Sequence, residues 1–252
     1  MAPIPTLQQR LEARQNPKTK SWWEAYLKRA LPFRGVKMAD IRAAVHAWYQ
    51  EEVKDALPSA NKQKELALGL LRETYAEDKL AGILFLQEIL LPSGLIAWRK
   101  DLPQFAHLFH DGAIADWNTC DWFCVKVLGP LAQREGEPCV RAIAQWRTAK
   151  NLWQRRAAGV AFVNLAKHGD TNFPGFTDML LEVCAATVKH PERFAQTGTG
   201  WVLRELGQAE SERVVRFTED NLPSFSAEAL RYATEKMSAQ TKARLTRLYR
   251  EL

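Results

Sequence analysis

The spacing of apolar residues constrains this chain more than any other feature of its sequence. Leu66, Leu70 and Leu71, and again Ile83, Leu84, Leu86, Ile89 and Leu90, recur at helical intervals, which line one face of an α-helix. No stretch alternates apolar and polar residues as a half-buried strand would, and no Asn-Gly hairpin turn occurs. The residue types agree with the spacing. Ala and Leu number 64 and Val and Ile only 20, so good helix formers outnumber the β-branched residues that strands favour. An all-α fold is predicted.

Turn-forming residues cut the helical pattern at Pro32 to Gly35, Leu57 to Ser59, Pro92 to Gly94, Gly129 to Pro138, Lys167 to Gly175, His190 to Pro191 and Asn221 to Ser224. Breaks at these intervals yield helices of modest length that bury their apolar faces on their neighbours, the logic of an α-solenoid. No Gly/Ser-rich linker separates two halves, so residues 1–252 read as a single HEAT-like repeat domain. A weak internal repeat supports the reading. Trp117, Trp153 and Trp201 each open an amphipathic stretch, 36 and 48 residues apart, bracketing the roughly 40 to 47 residues of HEAT and armadillo repeats. Any all-helical chain can offer such Trp-led helices, so spacing alone leaves the repeat open.

A chain of 252 residues with 46% hydrophobic and 25% charged residues can fold on apolar burial alone, which excludes disordered and collagen-like classes. No apolar run is long enough to span a membrane, and the N-terminus MAPIPTLQQRLEARQNPK lacks the apolar core of a secretory signal, so a cytoplasmic protein is expected. Cys120, Cys124, Cys139 and Cys184 include no CxxC pair, and His107 and His110 have no companion motif. Neither a disulfide framework nor a metal site is indicated.

The net charge is +6 and the pI about 9.2, but the distribution of charge says more than the total. Between Arg141 and His168 stand Arg141, Arg147, Lys150, Arg155, Arg156 and Lys167, with no acidic residue among them. Trp146 and Trp153 lie within this stretch and Trp201 beyond it. Cations interleaved with aromatics suit a phosphate backbone beside stacked bases, although a solvated helix face with core tryptophans would read similarly.

The segments WNTCDW around Trp117 and Asp121, NLWQRRAA around Arg156, and GWVLRE around Trp201 and Arg204 resemble the signature segments of the AlkD-type DNA alkylation repair proteins, the HEAT-repeat DNA glycosylases. YLKRALPFRGVKMADIR, from Tyr26 to Arg42, is similar to that family's opening helix pair. The resemblance covers most of the chain in the right order, with GWVLRE its most distinctive piece. One position departs from it: Asn118 follows Trp117 where the family often carries Asp.

The resemblance implies an α-solenoid with a concave DNA-binding face, acting as a monomer on double-stranded DNA. The implied reaction is hydrolysis of the N-glycosidic bond of cationic N3- and N7-alkylpurines, with no cofactor or metal. Alkylation makes the base a good cationic leaving group, so the protein's task is to stabilise an oxocarbenium-like sugar. Asp121 matches the family's catalytic carboxylate and would also position the attacking water. One helical turn from it, Trp117 shares its face. Trp117 and Trp201 would offer electron-rich indole faces to the deoxyribose and the backbone. Arg156 matches the phosphate-binding arginine, with Arg155 and Lys150 as further phosphate contacts and Arg204 as either a second phosphate contact or a partner for Glu205 or Asp121. The lesion would stay stacked in the duplex, without base flipping, leaving room for bulky adducts. In a bacterial cell the protein would associate with the nucleoid when acting.

Two other readings fit the same composition. A relative could keep the fold and bind distorted or branched DNA without catalysis, and a helical array could serve as a scaffold for protein partners. Asp121 together with Trp117 and Trp201 argues against the first, the acid-free basic stretch against the second.

Overall fold

The computed structural model describes residues 3–252; Met1 and Ala2 of the N-terminal stretch and of the 1–252 span lie outside the described residues. The described residues form helices and turns and no strand, as the apolar spacing predicts. They fall into two compact units, one reaching to Val127 and one from Leu128 to Leu252. The boundary lies inside a wide helical turn, Cys124–Leu128, so no change of composition marks it.

The first unit contains α1 (Pro3–Glu12), α2 (Pro17–Tyr26), α3 (Met38–Trp48), α4 (Ala60–Arg72), α5 (Ala76–Phe85), α6 (Trp98–His110) and α7 (Trp117–Phe123). Its centre is α5, every residue of which is buried, packed against α3, α4 and α7. Gly82 permits the close approach of α4, because a Cβ there would lie 2.8 Å from the Ala67 carbonyl oxygen.

Three charged residues on this buried helix tie down the loops around it. Glu77 accepts from the backbone N–H groups of Arg34 (3.0 Å), Gly35 (2.7 Å) and Val36 (3.1 Å), satisfying a loop that would otherwise leave donors unpaired. Asp78 pairs with Arg34 at 2.9 Å. Lys79 donates to the carbonyls of Leu71 and Ala113, each at 2.8 Å. Burial pulls its ammonium below the ordinary lysine range, against the opposing field of Asp116 and Asp111. Lys79 therefore anchors the loop that leads into α7.

The second unit contains α8 (Gly129–Glu135), α9 (Glu137–Ala144), α10 (Leu152–Val160), α11 (Val163–Ala166), α12 (Phe176–Thr187), α13 (Arg193–Leu206), α14 (Ser211–Asp220), α15 (Ala227–Ala233) and α16 (Ala239–Arg250). Here α13 is central and packs on α10, α12 and α15. A buried side chain, Gln196, stitches its start to the flanking turns. Its amide donates to the carbonyls of Val188, His190 (3.1 Å) and Ser224 (2.9 Å), and its Oε1 accepts from Ser226 N at 2.9 Å. Thr187 and Thr199 share a buried hydroxyl hydrogen bond of 2.7 Å. Polar groups that complete their bonding inside a core in this way fix the register of the helices they join.

Candidate nucleic-acid interface

The residues singled out by sequence divide between the two units: Trp117 and Asp121 stand on α7, the remaining five in the second unit. Helix α7 is short, and its N-terminus is set by Asp116, whose carboxylate accepts from Thr119 N at 2.9 Å. A cap of this kind contributes about 1 kcal/mol and fixes where the helix begins. Trp117, the first residue after the cap, is half-buried and packs with Trp23 and Leu31 on the buried cluster of Leu27, Phe33 and Ala76. The edge of the Tyr26 ring meets it at 5.5 Å and 71°. Asp121, one turn on, is also half-buried. The structure thus brings an indole and a carboxylate to adjacent positions on one helix face.

Asn118, where the sequence departs from the family pattern, is buried and lines a cavity of about 70 Å³ together with Glu77 and Trp122. Its amide belongs to the packed interior of the first unit. On the following turn Lys126 Nζ sits 5.6 Å from the centre of the Trp122 ring.

In the second unit the Asn151 side chain starts α10 by accepting from the N–H groups of Trp153 (2.9 Å) and Gln154 (3.1 Å). Trp153 leans on Phe194 of α13, with ring centres 5.0 Å apart. Arg156 is buried at 7% exposure and donates through Nη1 to Phe194 O at 2.7 Å and, more weakly, to Thr197 Oγ1 at 3.4 Å. Its stem runs over Gly198; a Cβ there would lie 3.0 Å from Nη1 and 3.2 Å from Cγ. The glycine three residues before Trp201 therefore makes room for Arg156, and Arg156 and Trp201 belong to packed neighbouring helices.

The other cations are placed differently. Arg155 is buried; its Nη1 donates to the carbonyls of Ala149 (2.8 Å) and Lys150 (2.7 Å) and its Nη2 pairs with Glu192. The guanidinium read from sequence as a phosphate contact is here spent on closing the turn before α10. Arg204, half-buried, bonds Glu205 at 2.9 Å and Glu235 at 2.6 Å. Burial pulls its pKa down, but the hydrogen bonds it donates to these carboxylates outweigh it and raise the value. Burial likewise pushes Glu205 up while Lys236 and Arg204 hold it below the ordinary carboxylate range. Lys150 is exposed and Trp201 half-buried.

Sequence reasoning missed Tyr26 as a neighbour of Trp117, and Phe194, Thr197 and Gly198 as the seat of Arg156. For Tyr26 a signal existed: Trp22 and Tyr26 stand one turn apart on a helix announced by Asn16-Pro17. For the seat of Arg156 there was none, since the contact joins helices about forty residues apart.

The sequence profile of the DNA alkylation repair enzyme family matches residues 7–237. A solved structure described as a predicted DNA alkylation repair enzyme from Enterococcus faecalis shares the fold, with a TM-score of 0.74 at 18% identity over 90% of this chain and 98% of that one. No curated protein sequence matches the chain. The profile spans the capped α7, the seat of Arg156 and the helix of Trp201 alike, and the chain belongs to the DNA alkylation repair enzyme family.

Proposed function

We propose that this protein is a monofunctional DNA glycosylase that releases cationic N3- and N7-alkylpurines from double-stranded DNA. The observation that carries the proposal is the pair Trp117 and Asp121, one turn apart on a helix whose start is fixed by its own cap. An alkylated purine already carries positive charge, so its departure needs no proton and no cofactor. What the reaction requires is a negative charge near C1′ as the sugar becomes oxocarbenium-like. Asp121 supplies that charge and orients the attacking water, while the Trp117 indole face attracts the developing cation. In the second unit, Arg156, braced by Phe194 O, and the Trp201 indole engage the DNA backbone.

Engagement of an open surface in place of base extrusion belongs to this reading. Beside α7 the cavity is about 70 Å³ and beside Arg156 about 10 Å³, below the few hundred Å³ that typically enclose a ligand, whereas a cavity of about 570 Å³ is lined by residues of α4 and α6. With the base left in the stack, bulky adducts fit as well as methyl groups. Residence in the cytoplasm beside the nucleoid and action as a monomer belong to the same proposal, and no helix among the described residues is long and apolar enough to cross a membrane. The test is incubation with a duplex holding a single N7-methylguanine, followed by alkaline cleavage of abasic sites. Strand scission is expected; tight binding without scission would identify a non-catalytic DNA-binding relative.

A further inference from the structure

Helix α2 buries none of its residues, yet it carries two of the most exposed large rings of the described chain, Trp22 at 59% and Tyr26 at 53% exposure. Their rings stack with centres 5.2 Å apart and planes within 7°. Trp23 braces both edgewise, at 4.8 and 5.9 Å, and itself stacks on the buried Phe33 at 5.7 Å. Tyr26 then meets Trp117 edge-on. A continuous aromatic path therefore runs from solvent to the indole of the proposed site. Single exposed aromatics are ordinary, but a rigid stacked pair with its apolar faces in water leaves burial energy unused.

The surroundings of the pair select what would cover it. Lys18, Lys20, Lys28 and Arg29 are all exposed, and Glu24 is the one acidic residue between positions 15 and 30. Glu24 is itself engaged, with Lys20 at 3.9 Å and Phe33 N at 3.3 Å. Lys28 and Arg29 adopt left-handed backbone at φ of 50° and 58°, a conformation costly for residues with a Cβ. Strain of that kind clusters at ligand-contacting segments. Flat rings for stacking and cations for phosphates are the two elements of a surface that takes an unpaired base.

We propose that Trp22 and Tyr26 form a stacking shelf for an unpaired nucleobase of DNA. The inference rests on the function proposed above: excision leaves the base opposite the lesion without a partner, and a shelf joined to Trp117 would receive it. A base already exposed in a single strand has the same chemistry. In a paired duplex both faces of every base are covered, so the shelf should discriminate by pairing and not by sequence.

Fluorescence anisotropy of the full chain and its W22A variant, on three labelled oligonucleotides, tests the shelf. The three are a paired duplex, the same duplex with a tetrahydrofuran abasic analogue opposite one base, and a single strand. W22A should weaken binding to the abasic duplex by about tenfold and leave the paired duplex unchanged, while W22F keeps most of the preference. Loss confined to the single strand would assign the shelf to single-stranded bases in place of the orphaned partner. Equal affinities of W22A and the parent on all three would overturn the shelf and leave the glycosylase reading standing. An equal loss on all three would also overturn it, marking Trp22 as a backbone contact. Failure of the parent chain to bind any of the three would overturn both.

Discussion

Asp121 and Arg156 carry predictions that can be told apart. Asp121→Asn keeps the shape of the side chain and removes its charge, so single-turnover excision of N7-methylguanine should fall by about 10² to 10³, with duplex affinity unchanged. Excision within threefold of the parent would be too small a loss for a charge facing an oxocarbenium. Arg156→Ala should weaken binding to duplexes of every sequence and reduce the salt slope of the affinity by about one ion. Arg155→Ala makes the contrasting case. Its guanidinium is spent on Ala149 O, Lys150 O and Glu192, so the variant should lose roughly 1–3 kcal/mol of stability in urea unfolding and keep the parent's salt slope. The two arginines are neighbours in sequence and both lie in an acid-free stretch. The fold sets Glu192 against Arg155 and Phe194 O against Arg156.

Helix α13 explains why the GWVLRE segment begins with glycine. A Cβ on Gly200 would lie 2.5 Å from Ala229 O and 2.8 Å from Tyr232 Cβ, so α15 could not stay in place against it. Gly200→Ala raises helix propensity by about 1 kcal/mol but overpacks the α13–α15 contact, a change that typically costs about 1–3 kcal/mol. The expected outcome is a net loss of stability by urea midpoint, together with weaker excision because Trp201 is the next residue. A midpoint at or above that of the parent would show that the two helices can part without cost. Some helix starts were open to a local reading, since Asn151, Asp116 and Asn16-Pro17 close their bonds within three residues, although Gly129 to Pro138, read as a break, holds helix α8. The seat of Gly200 was not, since the atoms it would strike belong to a different helix.

Across the whole molecule, the open-surface reading predicts how rate depends on the lesion. With the base left in the stack, a bulky cationic N3 or N7 adduct should leave within about tenfold of the methyl rate, a barrier difference of about 1.4 kcal/mol. A pocket enclosing a flipped base should lose most of its activity as bulk grows. Hypoxanthine should be a poor substrate, because a neutral base leaves without the help of its own charge. Single-turnover rates on the three duplexes decide between the mechanisms. Rapid hypoxanthine release, or selective rejection of the bulky adduct, would count against a stacked base.

The sequence by itself determined the helical class and the family, because apolar period and signature segments are local along the chain. Electrostatic roles were another matter. The basic run from Arg141 to His168 contains no acid in sequence, yet Glu137 pairs with Arg141 at 2.7 Å and Glu192 with Arg155, so the charge offered to solvent is not the charge counted along the chain. The division at Val127, the use of Lys79 as an anchor for the loop before α7 and the aromatic path from Trp22 to Trp117 were likewise decided only by tertiary structure. Each depends on which helices meet, and that follows from the simultaneous burial of many apolar faces, a property no local stretch of residues contains.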